Sequence, residues 1–332
     1  MTQTKNVFVT GGAGYVGAVL VPQLLAKGHR VKVLDLYIYG EDVLNVVKDD
    51  PHLIQIKGDI RDRGLLEREL AGYDTVIHLA CISNDPSYEL NPALSKAINY
   101  DAFLQLVDVA KQVGVKHFIY ASSSSVYGIK DDPEVTEDLP LNSLTDYSKY
   151  KAKCEEYLDL QATAEFSVTT IRPATICGYS PRQRFDLTVN ILTNHALNKG
   201  KITVFGGEQQ RPNLHIQDMV DLYLFLLELP PEKIYRKIYN VGYHNYTVRQ
   251  LAEMVRDTLG GEIPIETTPS DDIRSYHVSS RKIKEELGFE AKHTVPEAIL
   301  DLHQAFRAGL LPHPLDDIRY YNIKTMLAIN LK

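Results

Sequence analysis

Cysteine is scarce in this sequence, with three among its 332 residues: Cys81, Cys154 and Cys177. They have neither C-x-x-C spacing nor the Cys/His spacing of a zinc site. This pattern argues against both a disulfide framework and structural zinc. We therefore interpret all three as small core residues and expect no bound metal.

Long apolar runs and an excess of positive charge are also missing. No apolar run approaches the roughly 18 residues of a membrane helix, and residues 1–9 lack the pattern of a secretion signal. The net charge is -7, from 36 Lys and Arg against 43 Asp and Glu, which disfavours nucleic acid and anionic membranes as partners. We expect a cytoplasmic protein whose phosphate sites consist of a few arginines and backbone amides.

Short apolar runs alternate with helix-period segments up to about residue 172, which is typical of repeated βαβ units. Helices should begin near residues 14, 61, 91 and 145. The predicted strands are residues 6–10, 31–35, 54–57, 75–79, 117–122 and 168–172. The pattern predicts an α/β fold with a doubly wound parallel sheet over residues 1–172. Beyond it, prolines interrupt shorter elements, so residues 173–332 should form mainly a smaller mixed α/β substrate-binding lobe, with some segments returning to the sheet.

A glycine-rich turn follows the first predicted strand. The sequence Thr-Gly-Gly-Ala-Gly-Tyr-Val-Gly occupies residues 10–17 and leads into a helical pattern. Glycines there let the backbone approach a pyrophosphate, and the helix N-terminus supplies amide donors. A turn without a ligand could have the same local sequence, but the strand, the helix and a following acidic residue occur in the order of a dinucleotide-binding fingerprint. The predicted cofactor contacts in this turn are Gly11, Gly14, Tyr15, Val16 and Gly17.

Two acidic residues extend this prediction. Asp35 ends the second predicted strand, about 20 residues after the glycines, where a carboxylate binds the adenosine ribose and disfavours a 2′-phosphate. NAD is therefore expected as the cofactor rather than NADP, and a turn or cap carboxylate is the alternative role for Asp35. Asp59, which precedes Ile60, either contacts the adenine or caps the next helix.

Tyr147 and Lys151 stand four residues apart, on one face of the helix predicted near residue 145. A neighbouring ammonium and the positive charge of an oxidised nicotinamide would lower the phenol pKa from its usual value of about 10, so that the phenol acts as acid or base. Residues 122–125 are serines at the end of a predicted strand, where open α/β sheets bind ligands. Each motif alone is compatible with a solvated helix or a serine-rich loop. Their order along the chain favours a catalytic site.

Together these motifs resemble the extended short-chain dehydrogenases/reductases, specifically the nucleotide-sugar epimerase and dehydratase family. The resemblance covers nearly the whole chain and implies a Rossmann fold, NAD and a nucleotide-diphosphate-sugar substrate. It also implies roles: Tyr147 as the base, Lys151 as the residue that tunes it, and Ser123 as the group that positions the substrate oxygen. The remaining matches are Gly58-Asp59-Ile60, His78-Leu79-Ala80, Asn99, Arg172-Pro173 and residues 211–218, and they add Ile60, Leu79 and Ala80 to the expected cofactor contacts.

The resemblance further implies that Arg211 binds the substrate diphosphate and that Arg274 lies near the nucleotide. Guanidinium groups suit phosphates, although either arginine alone could be a surface ion-pair residue. Thr175 replaces an asparagine that many relatives have shortly after the Arg-Pro strand end, and it remains a candidate substrate contact. A plausible sugar or phosphate cluster follows a Pro/Gly-rich loop and consists of Arg182, Arg184, Asp186 and Asn190.

Ser125 bears on the reaction type. Sugar 4,6-dehydratases resemble one another in having an acidic residue there, and its loss removes an acid for water elimination. We therefore expect epimerisation, commonly at C4, through a transient ketosugar, with a 4-dehydrogenase or 4-ketoreductase as the close alternative. A 4,6-dehydratase and a regulatory NAD-binding protein without turnover are less favoured. Family resemblance also implies a homodimer that pairs through residues 91–113 and 147–162.

Overall fold

A computed structural model describes residues 4–270, 275 and 277–331. The strands are β1 (Asn6–Thr10), β2 (Arg30–Asp35), β3 (Leu53–Lys57), β4 (Thr75–His78), β5 (His117–Ala121), β6 (Ser167–Pro173), β7 (Thr175–Cys177), β8 (Ile202–Phe205), β9 (Gln210–His215), β10 (Lys237–Val241), β11 (His244–Thr247) and β12 (Ile265–Thr268). The helices are α1 (Gly17–Ala26), α2 (Arg63–Leu70), α3 (Asp85–Glu89), α4 (Pro92–Lys96), α5 (Ala102–Gln112), α6 (Asp146–Gln161), α7 (Thr188–Lys199), α8 (Ile216–Glu228), α9 (Val248–Leu259), α10 (Arg281–Leu287), α11 (Val295–Arg307) and α12 (Asn322–Ile329).

Seven strands form one parallel sheet in the order β10-β6-β5-β4-β1-β2-β3. The order reverses between β1 and β4, so the predicted doubly wound α/β fold is confirmed. The six strands predicted from the sequence are present, each end within one residue of its predicted position. β10 comes from the second half of the chain and pairs with β6, which places a later segment at the edge of the sheet.

The helix starts differ slightly from the predicted positions, for local reasons. α1 begins at Gly17 because the preceding residues form the glycine turn. α2 begins at Arg63 because the Asp62 side chain accepts a hydrogen bond from the Leu65 amide as an N-cap. Thr145 caps α6 in the same way. Within the described residues, no helix is both long enough and apolar enough to cross a membrane.

The second lobe contains two small sheets. β7, β9 and β11 form a three-stranded mixed sheet, and β8 pairs with β12 in parallel. Apolar faces of α7, α9 and α11 pack together in one buried cluster that includes Leu192, Leu251 and Ile299. This arrangement agrees with the smaller mixed α/β lobe expected from the sequence.

The C-terminal segment returns to the first lobe. Met326 of α12 packs in the same apolar cluster as Ile60 and Ile98 of the Rossmann half. α12 also contacts α3. The segment therefore lies against the part of the molecule that carries the dinucleotide motifs.

Two histidines in the parallel sheet are buried, and they make the stability of the fold depend on pH. His78 and His117 are each 2% exposed, and each has a ring nitrogen within hydrogen-bond distance of a threonine hydroxyl. Burial lowers the pKa of both to about 3, from a usual value of 6.5. Between these values the unfolded chain binds protons that the folded chain does not. The free energy of unfolding should therefore fall as the pH decreases below about 6.5, by up to about 1.4 kcal/mol per pH unit for each histidine.

Urea unfolding at a series of pH values between 7 and 5 measures this dependence. His117→Asn keeps a hydrogen-bonding side chain without a titrating group, so its free energy of unfolding should depend less steeply on pH than that of the wild type. Equal slopes for the two proteins would contradict the assignment of His117 as a buried neutral residue.

Candidate active site

Glycines of the turn occupy positions where a Cβ would not fit. Gly11 has a φ of +74°, and a Cβ there would lie 2.5 Å from the backbone nitrogen of Ala80. A Cβ on Gly17 would lie 2.5 Å from Gly12. Both positions therefore require glycine, and they bring the N-terminus of α1 close to the ends of β1 and β4.

A cavity of about 420 Å³ adjoins this turn. The structure brings the predicted cofactor contacts together along it: Gly11, Gly14, Tyr15, Val16, Gly17, Asp35, Asp59, Ile60, Leu79, Ala80, Tyr147 and Lys151. It also places five of the predicted substrate contacts along the same cavity: Ser123, Thr175, Arg182, Arg184 and Arg211. Such a cavity at the reversal of the strand order is the usual ligand site of an open α/β sheet.

The other two predicted substrate residues are placed differently. Arg274 lies outside the described residues. Asn190 is fully buried, where its Oδ1 accepts a hydrogen bond from the Gly178 amide at 3.0 Å. Its Nδ2 donates to the Tyr15 hydroxyl and to the Arg184 carbonyl, at 3.0 Å each. Asn190 thus supports the wall behind the cavity and joins the glycine turn to the loop after β7.

Asp35 is positioned at the cavity by two backbone amides. Its carboxylate accepts hydrogen bonds from Ala13 at 2.9 Å and from Tyr37 at 2.8 Å. Burial raises the pKa of Asp35, while these amide donors act in the opposite direction. The glycine turn, the helix N-terminus and this carboxylate fit a dinucleotide, with the phosphates at the turn and a ribose at Asp35.

Asp59 does not cap the next helix, because Asp62 does. The Asp59 carboxylate instead binds Arg61, with 2.6 Å between its Oδ2 and the arginine Nη2. Burial raises the pKa of Asp59, but its bonds to Arg61 outweigh burial and lower the pKa overall. Asp59 lines the cavity, and contact with the adenine stays the prediction for this residue.

Three side chains from two elements meet at the other end of the cavity. Tyr147 and Lys151 lie on one face of α6, with the Lys151 Nζ 5.9 Å from the centre of the Tyr147 ring. The same Nζ donates a hydrogen bond to the Ala121 carbonyl at 2.7 Å, which ties it to the end of β5. Ser123 begins the short 3₁₀ turn after β5, and its hydroxyl lies 2.8 Å from that of Ser125.

The pKa of Tyr147 is raised above its ordinary value in the protein alone. Burial is the main cause, and the nearby Cys81 and Asp85 add to it, whereas Arg184 and a hydrogen bond with Ser123 lower the pKa. The lower pKa that the sequence predicted for Tyr147 depends on a positively charged nicotinamide as well as on the protein. A cation at that position would favour the phenolate by direct attraction.

A buried polar network that the sequence motifs did not predict lies next to these residues. Glu155, one turn beyond Lys151 on α6, pairs with Arg172 at the end of β6, with 2.6 Å between its Oε2 and the arginine Nη2. Ser122 donates to the same carboxylate, and Arg172 donates to the Tyr127 hydroxyl at 2.7 Å. The network joins α6 to the ends of β5 and β6. The four-residue spacing of 147, 151 and 155 is the signal that could have revealed Glu155.

The loop after β7 carries two arginines to the cavity. Arg184 makes two hydrogen bonds to Asp186, at 2.9 and 3.0 Å, and a third to the Ser83 hydroxyl at 3.0 Å. Arg182 lies beside the Tyr39 ring, with its guanidinium carbon 3.5 Å from the ring centre. The two guanidinium groups agree with a phosphate site built from a few arginines, although the charge of Arg184 is paired with that of Asp186.

A Rossmann sheet with a close-packed glycine turn and a Ser/Tyr/Lys group at one cavity defines a dinucleotide-dependent enzyme of the short-chain dehydrogenase type. The chain belongs to the NAD dependent epimerase/dehydratase family, whose family model matches residues 7–242. Both the family and the NAD cofactor predicted from the sequence are thereby confirmed.

Individual relatives include several nucleotide-sugar enzymes. The UDP-glucose 4-epimerase of Corynebacterium glutamicum is 29% identical, over 92% of this chain and 96% of its own length. UDP-glucuronic acid decarboxylase 4 of Arabidopsis thaliana is 30% identical, over 91% of this chain and 68% of its own.

Solved structures of related enzymes have the same fold. The UDP-glucose 4-epimerase of Thermotoga maritima, with UDP-glucose, is 28% identical with a TM-score of 0.82, over 92% of this chain and 99% of its own. A dTDP-glucose 4,6-dehydratase from Streptomyces venezuelae, with NAD bound, is 26% identical with a TM-score of 0.84, over 94% of this chain and 100% of its own.

Proposed function

We propose that this protein is an NAD-dependent epimerase of a nucleotide-diphosphate sugar, and that it inverts C4 through a transient ketosugar. The observation that carries the proposal is the meeting of Ser123, Tyr147 and Lys151 at the cavity that Asp35 and the glycine turn also line. Relatives named as UDP-glucose 4-epimerases, matched over nearly their whole length, support the same reaction.

Each residue has a separate role in the proposed reaction. NAD held at the glycine turn and Asp35 would supply the hydride acceptor and donor for the sugar carbon. Tyr147 takes the proton of the sugar hydroxyl and gives it back, while Ser123 holds the reacting oxygen by a hydrogen bond. Lys151 positions the nicotinamide ribose and favours the phenolate by its charge. Inversion requires the ketosugar to turn between the two hydride transfers.

Arginines on the second lobe are the proposed contacts for the substrate. Arg211 at β9 lines the cavity and would bind the diphosphate of the sugar nucleotide, together with Arg274. Arg184, held by Asp186, and Thr175 line the cavity as well and are proposed contacts for the sugar or its phosphate. We propose that Asn190 supports the substrate site indirectly, because it fixes the Arg184 backbone.

Ser125 favours epimerisation over dehydration in this proposal. Its hydroxyl lies 2.8 Å from that of Ser123 and supports it. A serine hydroxyl is a much weaker acid than the carboxyl group expected of a dehydratase at this position. Ser125→Ala should therefore lower turnover by less than about tenfold.

The decisive assay incubates the enzyme with UDP-glucose, UDP-N-acetylglucosamine, dTDP-glucose and GDP-mannose in turn. NMR identifies the stereochemistry at C4, and absorbance follows reduced nicotinamide. A C4 epimer without net NADH supports the proposal. Stoichiometric NADH with a ketosugar would assign a 4-dehydrogenase, and a 4-keto-6-deoxy product would assign a dehydratase. Either result would overturn epimerisation.

We also propose a homodimer that pairs through α5 and α6, on the basis of family resemblance. Light scattering at micromolar concentration should give twice the mass of one chain. A monomer mass would refute the pairing.

A further inference from the structure

Arg182 is buried with part of its guanidinium unsatisfied. The residue is 4% exposed, and its Nη2 donates to the Oδ1 of Asn322 on α12. Its Nε and Nη1 have no hydrogen-bond partner among the described residues. Leaving such donors buried and unpaired costs free energy, and the residue lines the large cavity. The two nitrogens therefore retain hydrogen-bond donors that a ligand in the cavity would satisfy.

The backbone around Arg182 is fixed to the glycine turn. The Ser180 hydroxyl donates to the Tyr15 carbonyl at 2.7 Å and accepts from the Arg182 amide at 3.3 Å. The Tyr15 hydroxyl donates to the Gly178 carbonyl at 2.6 Å. Because Tyr15 belongs to the turn that precedes α1, the loop of Arg182 lies directly beside the part of the site that fits the cofactor phosphates.

The groups around the Arg182 guanidinium also lie near the predicted cofactor site. It stacks on Tyr39, which follows Asp35 at the end of β2, and the Asp35 carboxylate acts on it electrostatically. Burial lowers the pKa of Arg182 to about 10, so the cation is poorly stabilised without an anion. Arg184, two residues on, already has Asp186 as its ion-pair partner. Of the two arginines, Arg182 is the one with donor capacity to spare.

We propose that Arg182 binds the diphosphate of the NAD cofactor beside the glycine turn, and that Asn322 is its positioning residue. A guanidinium group offers the planar pair of donors that suits phosphate oxygens. The proposal changes the expectation for Arg182 from the substrate to the cofactor. It rests on the NAD-binding part of the proposed function and not on the sugar reaction.

The C-terminal helix thereby becomes part of the cofactor site. Asn322 is 2% exposed, and it joins Arg182 to the Ser83 hydroxyl, to which its Nδ2 donates at 3.0 Å. Loss of the Asn322 amide would free the guanidinium to leave the phosphates. Loss of the Asn322 amide should have no further effect on NAD affinity when Arg182 has already been replaced. A purely structural role of the helix would not produce this dependence.

The test compares Arg182→Met, Arg182→Lys and Arg68→Met with the wild type. Arg68 pairs with Glu69 on the surface of α2 and provides a control for the loss of one positive charge. Calorimetry measures the affinity for NAD and for ADP, and acid denaturation measures the dinucleotide that remains bound after purification. Arg182→Met should weaken both ligands by about 10- to 100-fold, and Arg182→Lys by less, while Arg68→Met should bind like the wild type.

Asn322→Leu should weaken NAD binding by itself, and should add nothing in the Arg182→Met background. Thermal unfolding identifies a variant that fails to fold, and in that case Arg182→Lys decides the question. Unchanged NAD and ADP affinity in a folded Arg182 variant would overturn the proposal. A raised KM for the sugar nucleotide with unchanged NAD affinity would also overturn it, and would assign Arg182 to the substrate. Because none of the binding assays requires sugar turnover, a failed epimerase assay would leave this result intact.

Discussion

Replacing Tyr147 with phenylalanine should lower turnover by about 10²- to 10⁴-fold, with NAD affinity close to that of the wild type. The phenyl ring preserves the packing against Tyr88, whose ring centre lies 6.4 Å away, and removes the proton that the mechanism moves. The loss should appear in kcat more than in KM, since the hydroxyl acts on the reacting atoms and not on the nucleotide.

Tyr150→Phe is the matched control, because Tyr150 lies on the same helix and stacks on the same Tyr88 ring, with 6.1 Å between the ring centres. It should retain nearly all of the activity. Full activity of Tyr147→Phe on whichever sugar nucleotide turns over would show that another group carries the proton. Loss of NAD affinity in parallel with turnover would show that the hydroxyl serves the cofactor rather than the reaction.

Removing the Glu155 carboxylate should lower the free energy of unfolding by about 3–5 kcal/mol. Glu155 and Arg172 are paired at 2.6 Å, and each side chain is only 4% exposed. Glu155→Ala would leave the guanidinium buried without its counter-charge and would also deprive the Ser122 hydroxyl of its acceptor. Urea unfolding measures the change, and because the pair joins α6 to β6, the variant should also lose activity.

A double variant separates the effect of the buried charges on the free energy of unfolding from the effect of side-chain packing. Glu155→Leu combined with Arg172→Met removes both charges and should cost less than the sum of the two single changes. Glu67→Ala, which breaks the exposed pair with Arg63 on α2, is the surface control and should cost less than about 1 kcal/mol. If Glu155→Ala cost no more than this control, the buried pair would not be what stabilises the end of the catalytic helix.

Local patterns supplied most of the candidate site residues. The glycine turn, Asp35 and the Tyr147/Lys151 pair each depend on residues close together in sequence, where spacing fixes the geometry. For Ser123, the strand end indicated only a run of serines at the ligand-binding edge of the sheet, and the family resemblance selected Ser123 from that run. The six strands of the first half were predicted for a similar reason, since each is a short apolar run between turn residues.

Contacts between distant segments were not predictable in this way. β10 completes the sheet beside β6, although nothing in its own pattern names that partner. Asn190 was expected at the substrate, yet its amide is used by Tyr15, 175 residues away in the chain. Sequence spacing carries no information about which of several buried polar groups will meet across such a separation.

The sequence by itself determined the class of the protein: the parallel sheet, the dinucleotide turn, the NAD cofactor and the residues proposed for proton transfer. Only the tertiary structure decided how the arginines are used. Arg184 meets Asp186 within its own loop, whereas Arg182 lies against the glycine turn and is held by Asn322, 140 residues later. The physical reason is that a motif is specified by bonded geometry, whereas the direction of a long side chain is set by the burial, charges and hydrogen bonds that folding brings around it.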